Sequence, residues 1–101
     1  MRPHLFHAVY LELRRRYKDV YVGKWDGYEV DFVAVGRDTG IAYYQVAFSS
    51  ADPATLERGL RPLRAIRDSN PKYLLTADIG LGPVYDGIRK LNVTEWLLRP
   101  P

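Results

Sequence analysis

Two runs of sequence decide the fold: YEVDFVAV at residues 28–35 and IAYYQVAF at residues 41–48. β-Branched and aromatic residues dominate both runs, and turn signals that contain glycine bound each of them, which is typical of β-strands. The connection from Gly36 to Gly40 is short and rich in turn-forming residues. The sequence therefore predicts an antiparallel hairpin at the centre of the fold.

The first of these strands carries two acidic residues in an otherwise apolar run. Because side chains alternate along a strand, we expect Glu29 and Asp31 on one face of the sheet. The opposite face is then expected to carry the apolar residues of this run, Val30, Phe32 and Ala34. With Gln45 on the neighbouring strand, the two acids form a set of oxygen donors of the kind that Mg²⁺ or Mn²⁺ prefers. The alternative interpretation is that both acids line the solvent-facing side of a half-exposed strand.

The composition describes one small globular domain, residues 1–101, of which 47% are hydrophobic. Cysteine is absent, which excludes disulfides, a thiol nucleophile and cysteine-based metal sites. No apolar run approaches the roughly 20 residues that span a bilayer, and the N-terminal segment lacks the apolar region of a signal peptide. A cytoplasmic protein without a membrane partner is expected. The net charge of +3 permits a polyanionic partner without requiring one.

Periodicity and capping signals place the remaining elements. Apolar residues at helical spacing predict a first helix over residues 4–17, followed by a short strand over 19–23. Asp52 and Pro53 predict the start of a second helix, which Pro62 is expected to kink or break near Arg61. Strands are predicted over 72–77 and 87–91 with a loop over 78–87 between them, and Asn92 is expected to cap a last helix. The predicted order is α-β-β-β-α-β-β-α, a mixed sheet flanked by helices.

Arginines cluster at two places in the predicted helices. One cluster ends the first helix, where cations suit the carbonyl end of the helix dipole, and comprises Arg14, Arg15 and Arg16. The other recurs along the second helix and comprises Arg58, Arg61, Arg64 and Arg67. Both clusters have two interpretations, a solvated helix face or a set of contacts to nucleic-acid phosphates.

The order of elements and several motifs resemble the PD-(D/E)XK, or restriction-endonuclease-like, nuclease core. More narrowly, the chain resembles the domain of unknown function at the C-terminus of many bacterial and archaeal AAA+-type ATPases. The resemblance runs from about residue 5 to residue 98. The matching runs are VYLEL (9–13), EVDFV (29–33), YQVA (44–47), RPL (61–63) and PKYLLT (71–76), then Asp78, Gly87-Ile88 and WLL (96–98).

The resemblance implies roles for three positions. Asp31 stands at the metal-binding aspartate of such nucleases, Gln45 at the acidic position of the third-strand motif, and Ala47 at the lysine position. Glu29 is a candidate replacement for the missing acid. A neutral Gln45 weakens divalent binding, and Ala47 supplies no positive charge to a transition state. The resemblance therefore implies a nuclease site, formed by Asp31, Glu29 and Gln45, that has degenerated.

Three functions follow as hypotheses. The first is a catalytically degenerate nuclease-fold module that needs no cofactor and binds nucleic acid or a partner ATPase domain or subunit. Its phosphate contacts would come from Arg14, Arg15, Arg16, Arg58, Arg61 and Arg64. The second is an active DNA endonuclease that uses Mg²⁺ or Mn²⁺ at Asp31. The third is a structural domain that forms a homodimer through a sheet edge or a tyrosine-rich face. The chain itself lacks a Gly-x-x-x-x-Gly-Lys-Ser/Thr loop for ATP.

Overall fold

The computed structural model describes residues 2–25, 27–47, 49–78 and 84–100. Within these ranges the chain forms three helices and six strands. In chain order they are α1 (Arg2–Arg16), β1 (Asp19–Trp25), β2 (Tyr28–Val35), β3 (Ile41–Val46), α2 (Pro53–Ala65), β4 (Lys72–Thr76), β5 (Val84–Tyr85), β6 (Ile88–Asn92) and α3 (Val93–Leu98). Among the described residues, no helix has the length and apolar character needed to cross a bilayer.

The strands form one mixed sheet in the order β1-β2-β3-β4-β6-β5. The predicted hairpin is confirmed: β2 and β3 pair antiparallel, with Phe32 opposite Tyr44 and Val35 opposite Ile41. The turn closes where the Gly36 N–H donates to the Gly40 carbonyl at 2.8 Å. β3, β4 and β6 run parallel to one another, and β5 returns antiparallel to β6. The predicted α/β class, with a mixed sheet flanked by helices, is therefore confirmed.

Helices cover both faces of the sheet, and each face has its own apolar core. One core joins α1 and α3 to the sheet and includes Val9, Leu13, Phe32, Tyr44 and Trp96. The second core joins α2 to the other side and includes Val30, Leu60, Leu63, Leu74 and Ile88. We call these sides the α1–α3 face and the α2 face.

A β-bulge in β2 changes the predicted alternation of its side chains. Between two paired positions, Val22 of β1 stands opposite two residues of β2, Asp31 and Phe32. As a result Val30 packs on the α2 face, whereas Phe32 packs on the α1–α3 face. The prediction that Val30, Phe32 and Ala34 share one face is therefore wrong, because the extra residue shifts the alternation.

Helix α2 begins as predicted. The Asp52 carboxylate accepts a hydrogen bond from the Thr55 N–H at 3.1 Å, and Pro53 occupies the first turn. Of the expected kink or break near Arg61, the break is absent, because the helix continues through Pro62 to Ala65. Proline removes one backbone hydrogen bond, and the apolar burial of this end of the helix, including Pro62 itself, offsets that loss.

The last part of the sheet contains a strand that was predicted as loop. β5 pairs with β6 across a turn in which Asp86 has φ 51° and Gly87 has φ 84°. Two consecutive positive φ angles define the type I′ turn that Asp-Gly favours. The rest of the predicted loop, residues 79–83, lies outside the described residues. The predicted cap of α3 is confirmed, since the Asn92 Oδ1 accepts from the Glu95 N–H at 2.9 Å.

Candidate functional site

Asp31 and Gln45 join β2 to β3 beyond the last regular pair of the hairpin. The Asp31 N–H donates to the Gln45 Oε1 at 2.8 Å. In the other direction, the Val46 N–H donates to the Asp31 Oδ2, also at 2.8 Å. Two side chains thus take the place of backbone hydrogen bonds between the strands. We call this pair of hydrogen bonds the Asp31–Gln45 clasp.

The burial of Gln45 explains why a neutral side chain suits the clasp. Gln45 is 8% exposed, and its neighbours on β3, Val46 and Ala47, are buried as well. A carboxylate at residue 45 would place a second negative charge beside Asp31 in a weakly solvated site, which is costly without a cation. The amide oxygen satisfies the Asp31 N–H and adds no charge.

Glu29 stands apart from the clasp. It is exposed and lies opposite Lys24 of the edge strand β1 in the sheet register. The two hydrogen bonds of the clasp join Asp31 to Gln45 and Val46 and do not involve Glu29. The structure thus brings together two of the three residues proposed for the metal site.

Ala47, at the lysine position of the nuclease motif, is buried beneath α2. A Cβ added at Gly59 would lie 3.2 Å from the Ala47 Cβ and 2.9 Å from the Leu74 Cδ1, so helix and sheet approach closely here. A longer side chain at residue 47 would therefore meet the backbone of α2 at Gly59. The packing at this position favours alanine, so residue 47 supplies no lysine to the clasp.

The two side chains of the clasp offer a divalent cation one carboxylate and one neutral amide oxygen. Mg²⁺ is usually bound through one or two carboxylates together with further oxygen ligands. Here one carboxylate already accepts a backbone N–H, and the neighbouring amide oxygen accepts another. In the described ranges, no group of three or more histidine, aspartate or glutamate side chains could hold a metal ion. No chemical step is therefore assigned to a metal at Asp31.

The arginines of α1 have different environments. Arg14 is exposed, and its guanidinium donates to the Tyr10 hydroxyl at 3.3 Å. Arg15 and Arg16 both pair with Glu12, at 2.8 and 2.6 Å. Burial opposes ionisation of Glu12, but the hydrogen bonds from the two arginines outweigh it and lower the pKa of this carboxyl.

Arg16 ties α1 to α3. Its side chain is 11% exposed and donates to the main-chain oxygens of Trp96 and Arg99 at 2.8 and 2.6 Å. The guanidinium also lies 4.7 Å from the centre of the Trp96 ring, a cation–π contact. These contacts give Arg16 a structural role and leave it poorly placed for the predicted phosphate contact.

The predicted arginines of α2 lie on its outer side but are not equally available. Arg64 pairs with Glu57 and with Asp86, each at 2.9 Å. Arg61 lies 3.7 Å from Glu57, and Arg58 donates to the Thr55 hydroxyl at 3.2 Å. Arg58 and Arg61 are exposed. Of this helix's three proposed phosphate contacts, these two remain the more accessible.

A polar cluster at the carboxyl ends of β3 and β4 was not proposed from the sequence as a site. Asp78 accepts from the Ser49 hydroxyl at 3.0 Å, the Ser50 N–H at 2.6 Å and the Ser50 hydroxyl. Lys90 approaches the same carboxylate at 3.6 Å and donates to the Ser50 hydroxyl at 3.1 Å. We call these four residues the Asp78 cluster. It holds the segment between β3 and α2 against the sheet.

The electrostatics of the Asp78 cluster favour the ionised carboxylate. Hydrogen bonds from Ser50 and Ser49, together with the positive charge of Lys90, lower the pKa of Asp78 to about 2 against the opposing effect of burial. The sequence contains a signal for this arrangement, because Asp78 follows a buried strand. The carboxyl ends of the parallel strands β3 and β4 meet at one edge of the sheet.

The fold and site define a small α/β domain whose central hairpin is held by the half-buried Asp31 and the buried Gln45. No protein family model matches the chain, and no solved structure matches it. Over 95 residues the chain is 37% identical to a protein of Haemophilus influenzae described as an uncharacterized protein. The match covers 94% of this chain but spans only 23% of the length of that relative.

Proposed function

We propose that this domain is a catalytically degenerate module of the restriction-endonuclease-like fold that serves for binding. The observation that carries the proposal is the Asp31–Gln45 clasp. The residues that stand at the aspartate and acidic positions of the nuclease motif satisfy backbone N–H groups of the hairpin. Ala47, at the lysine position, is buried. Of the three motif positions, Asp31 keeps its carboxylate, whereas the acidic and lysine positions hold the neutral Gln45 and Ala47.

The host of such a module is a longer protein. The relative from Haemophilus influenzae is more than four times the length of the matched segment, since that segment spans 23% of it. The sequence resemblance to the domain that follows AAA+-type ATPases supports an ATPase as the proposed host or partner, in the cytoplasm. The net charge of +3 and the exposed Arg14, Arg58 and Arg61 favour nucleic acid as the bound partner.

A cleavage assay distinguishes this proposal from an active nuclease that uses Mg²⁺ or Mn²⁺. Plasmid DNA and a labelled oligonucleotide are incubated with the purified domain and either metal, beside Asp31→Ala and a chelator control. We expect no metal-dependent cleavage above that of Asp31→Ala, because Gln45 and Ala47 supply no charge at the acidic and lysine positions of the motif. Cleavage that requires the metal and disappears in Asp31→Ala would establish the active endonuclease instead.

A further inference from the structure

Three concavities meet at the amino ends of β4 and β6. The largest, about 600 Å³, lies between the end of α2, the turn from β5 to β6, and the start of β4. A second, about 240 Å³, shares Ser69, Lys72 and Gly87 with it, and a third, about 180 Å³, shares Tyr73 and Arg89 with the second. Because they share wall residues, the three concavities adjoin one another and make up a segmented groove from the α2 face to the α1–α3 face. We call it the arginine groove.

Positive charge predominates along the arginine groove. The cationic side chains in its walls are Arg16, Arg64, Arg67, Lys72, Arg89 and Arg99. Two carboxylates, Asp68 and Asp86, also line it. Arg64 pairs with Asp86 at 2.9 Å, and Lys72 pairs with Asp68 at 3.0 Å. The acids of the groove are therefore neutralised by two of its cations.

Asp68 is held firmly in its ionised, paired state. It accepts a 2.5 Å hydrogen bond from the Tyr43 hydroxyl and a hydrogen bond from Lys72. Burial raises its pKa, but these hydrogen bonds and that from the Asn70 N–H outweigh burial and lower the pKa to about 2. Near neutral pH this carboxylate remains paired with Lys72.

Three arginines of the groove are left with exposed guanidinium groups. Arg67 lies in the largest concavity, Arg89 in the second and third, and Arg99 in the third. All three residues are exposed, and within the described part of the chain none of them forms an ion pair at 4.0 Å or less. Each section of the groove thus presents a cation whose charge is not neutralised by a neighbouring acid.

The groove also offers an aromatic surface beside these cations. Tyr73, which is partly exposed, stacks on Tyr44 with ring centres 4.9 Å apart and an angle of 24°. Tyr44 in turn packs against Trp96 at 5.6 Å. Tyr44 therefore supports the Tyr73 ring, and Arg89 lines the same section of the groove. Positive charge with a fixed aromatic ring is the combination that binds single-stranded nucleic acid.

We propose that the arginine groove binds a single-stranded nucleic acid. Arg67, Arg89 and Arg99 contact successive phosphates, and a base stacks on Tyr73. The path bends around the end of the sheet from one face to the other, which suits a flexible strand better than a duplex with a persistence length of about 50 nm. The cations are distributed over three concavities, so a single phosphate group would contact only some of them.

The inference rests on the proposed binding role and deepens it by naming the partner and the surface. The groove lies at the amino end of β4, whereas the clasp lies at the carboxyl end of the parallel strand β3. Binding in the groove therefore does not depend on whether the clasp has any catalytic activity. The inference also assigns the main phosphate contacts to Arg67, Arg89 and Arg99, of which the sequence analysis proposed none as a phosphate contact of the binding module.

The test is an anisotropy titration with a labelled oligothymidylate of about 15 nucleotides, at several salt concentrations. The groove variant is Arg67→Ala/Arg89→Ala/Arg99→Ala. Its matched control is Lys18→Ala/Lys24→Ala/Arg37→Ala, which removes the same charge from exposed cations outside the groove. Circular dichroism and thermal unfolding verify that both variants fold.

We expect the groove variant to bind at least about tenfold more weakly. The slope of its log affinity against log salt concentration should become shallower by about 2, since each phosphate contact with a single strand contributes about 0.7. We expect the control variant to retain most of the affinity. Tyr73→Leu is expected to lose about fivefold or more, because base stacking on an aromatic ring contributes roughly 1–3 kcal/mol. Its salt slope is expected to stay unchanged.

The outcomes separate this inference from the function on which it rests. Equal losses of affinity in the two triple variants, or a larger loss in the control, would show that the groove is not the binding site. The proposal that the domain binds nucleic acid would still stand. Equal competition by polyglutamate and by unlabelled oligonucleotide would overturn nucleic acid as the partner of the groove. If the unaltered domain shows no salt-dependent binding, both the groove and the proposed nucleic-acid binding are wrong.

Discussion

Replacing Asp78 by alanine is expected to lower the free energy of unfolding by about 3 kcal/mol. The substitution removes the acceptor of the Ser50 N–H and of both serine hydroxyls. It also leaves the ammonium group of Lys90, whose side chain is 9% exposed, without its carboxylate. An unpaired charge in such a site is costly because little water can replace the lost partner. Urea unfolding followed by circular dichroism measures the change.

The low pKa of the same carboxylate predicts a loss of stability in acid. The pKa of Asp78 is about 2 in the folded protein and 3.8 ordinarily, so its contribution is complete above about pH 4 and is lost as the pH falls toward 2. The contribution that disappears is about 2 kcal/mol. Asp78→Ala should therefore show a weaker pH dependence below pH 4 than the unaltered domain.

A matched control separates the cluster from a general effect of charge. Asp38 is an exposed carboxylate in the turn between β2 and β3. We expect Asp38→Ala to change stability by less than about 0.5 kcal/mol. Similar stabilities for Asp78→Ala and Asp38→Ala would show that the Asp78 cluster does not hold the segment before α2.

The second large effect is expected at the Asp31–Gln45 clasp. Asp31→Ala removes the acceptor of the Val46 N–H, a backbone group of a residue that is only 9% exposed. A buried donor left without an acceptor costs about 1–3 kcal/mol, and we expect a loss of about 2 kcal/mol. Asp31→Asn retains an oxygen at this position and should lose less.

The stability of Asp31→Ala, measured without added metal, distinguishes a clasp from a metal site. In a cation site that is empty, removing a carboxylate relieves repulsion between like charges and stabilises the fold. In the clasp, the same change destabilises it. Glu29→Ala is the control, because it removes an exposed carboxylate from the same strand and should leave stability nearly unchanged. A stabilised Asp31→Ala would contradict the structural role of the clasp.

The sequence predicts most of the fold because its signals are local. The hairpin turn at Gly36–Gly40, the cap at Asp52 and the cap at Asn92 each depend on residues within a few positions of one another. β5 was missed because two residues are too few for a periodic pattern, although Asp86-Gly87 is itself a hairpin signal. The possible break near Arg61 is absent because tertiary packing overrides the local effect of proline.

The candidate site was less predictable because its geometry depends on neighbouring strands. Alternation within β2 alone placed the side chains of Val30 and Phe32 on one face, and the bulge opposite Val22 of β1 changes that. The helical spacing of the arginines gives no information on their ion pairs with Glu12, Glu57 or Asp86. The arginine groove joins residues from six helices and strands and from the C-terminal segment, a combination that no periodic pattern contains.

The most direct test of the central claim, that the clasp is a structural feature of a degenerate nuclease site, is a calorimetric titration of Mn²⁺. The purified domain is titrated beside Asp31→Ala, with the fold of each verified by circular dichroism. We predict the same weak, non-specific heats for both, because the oxygens of Asp31 and Gln45 already accept backbone hydrogen bonds. Specific binding of Mn²⁺ that disappears in Asp31→Ala would contradict this account and place a functional metal site on the hairpin.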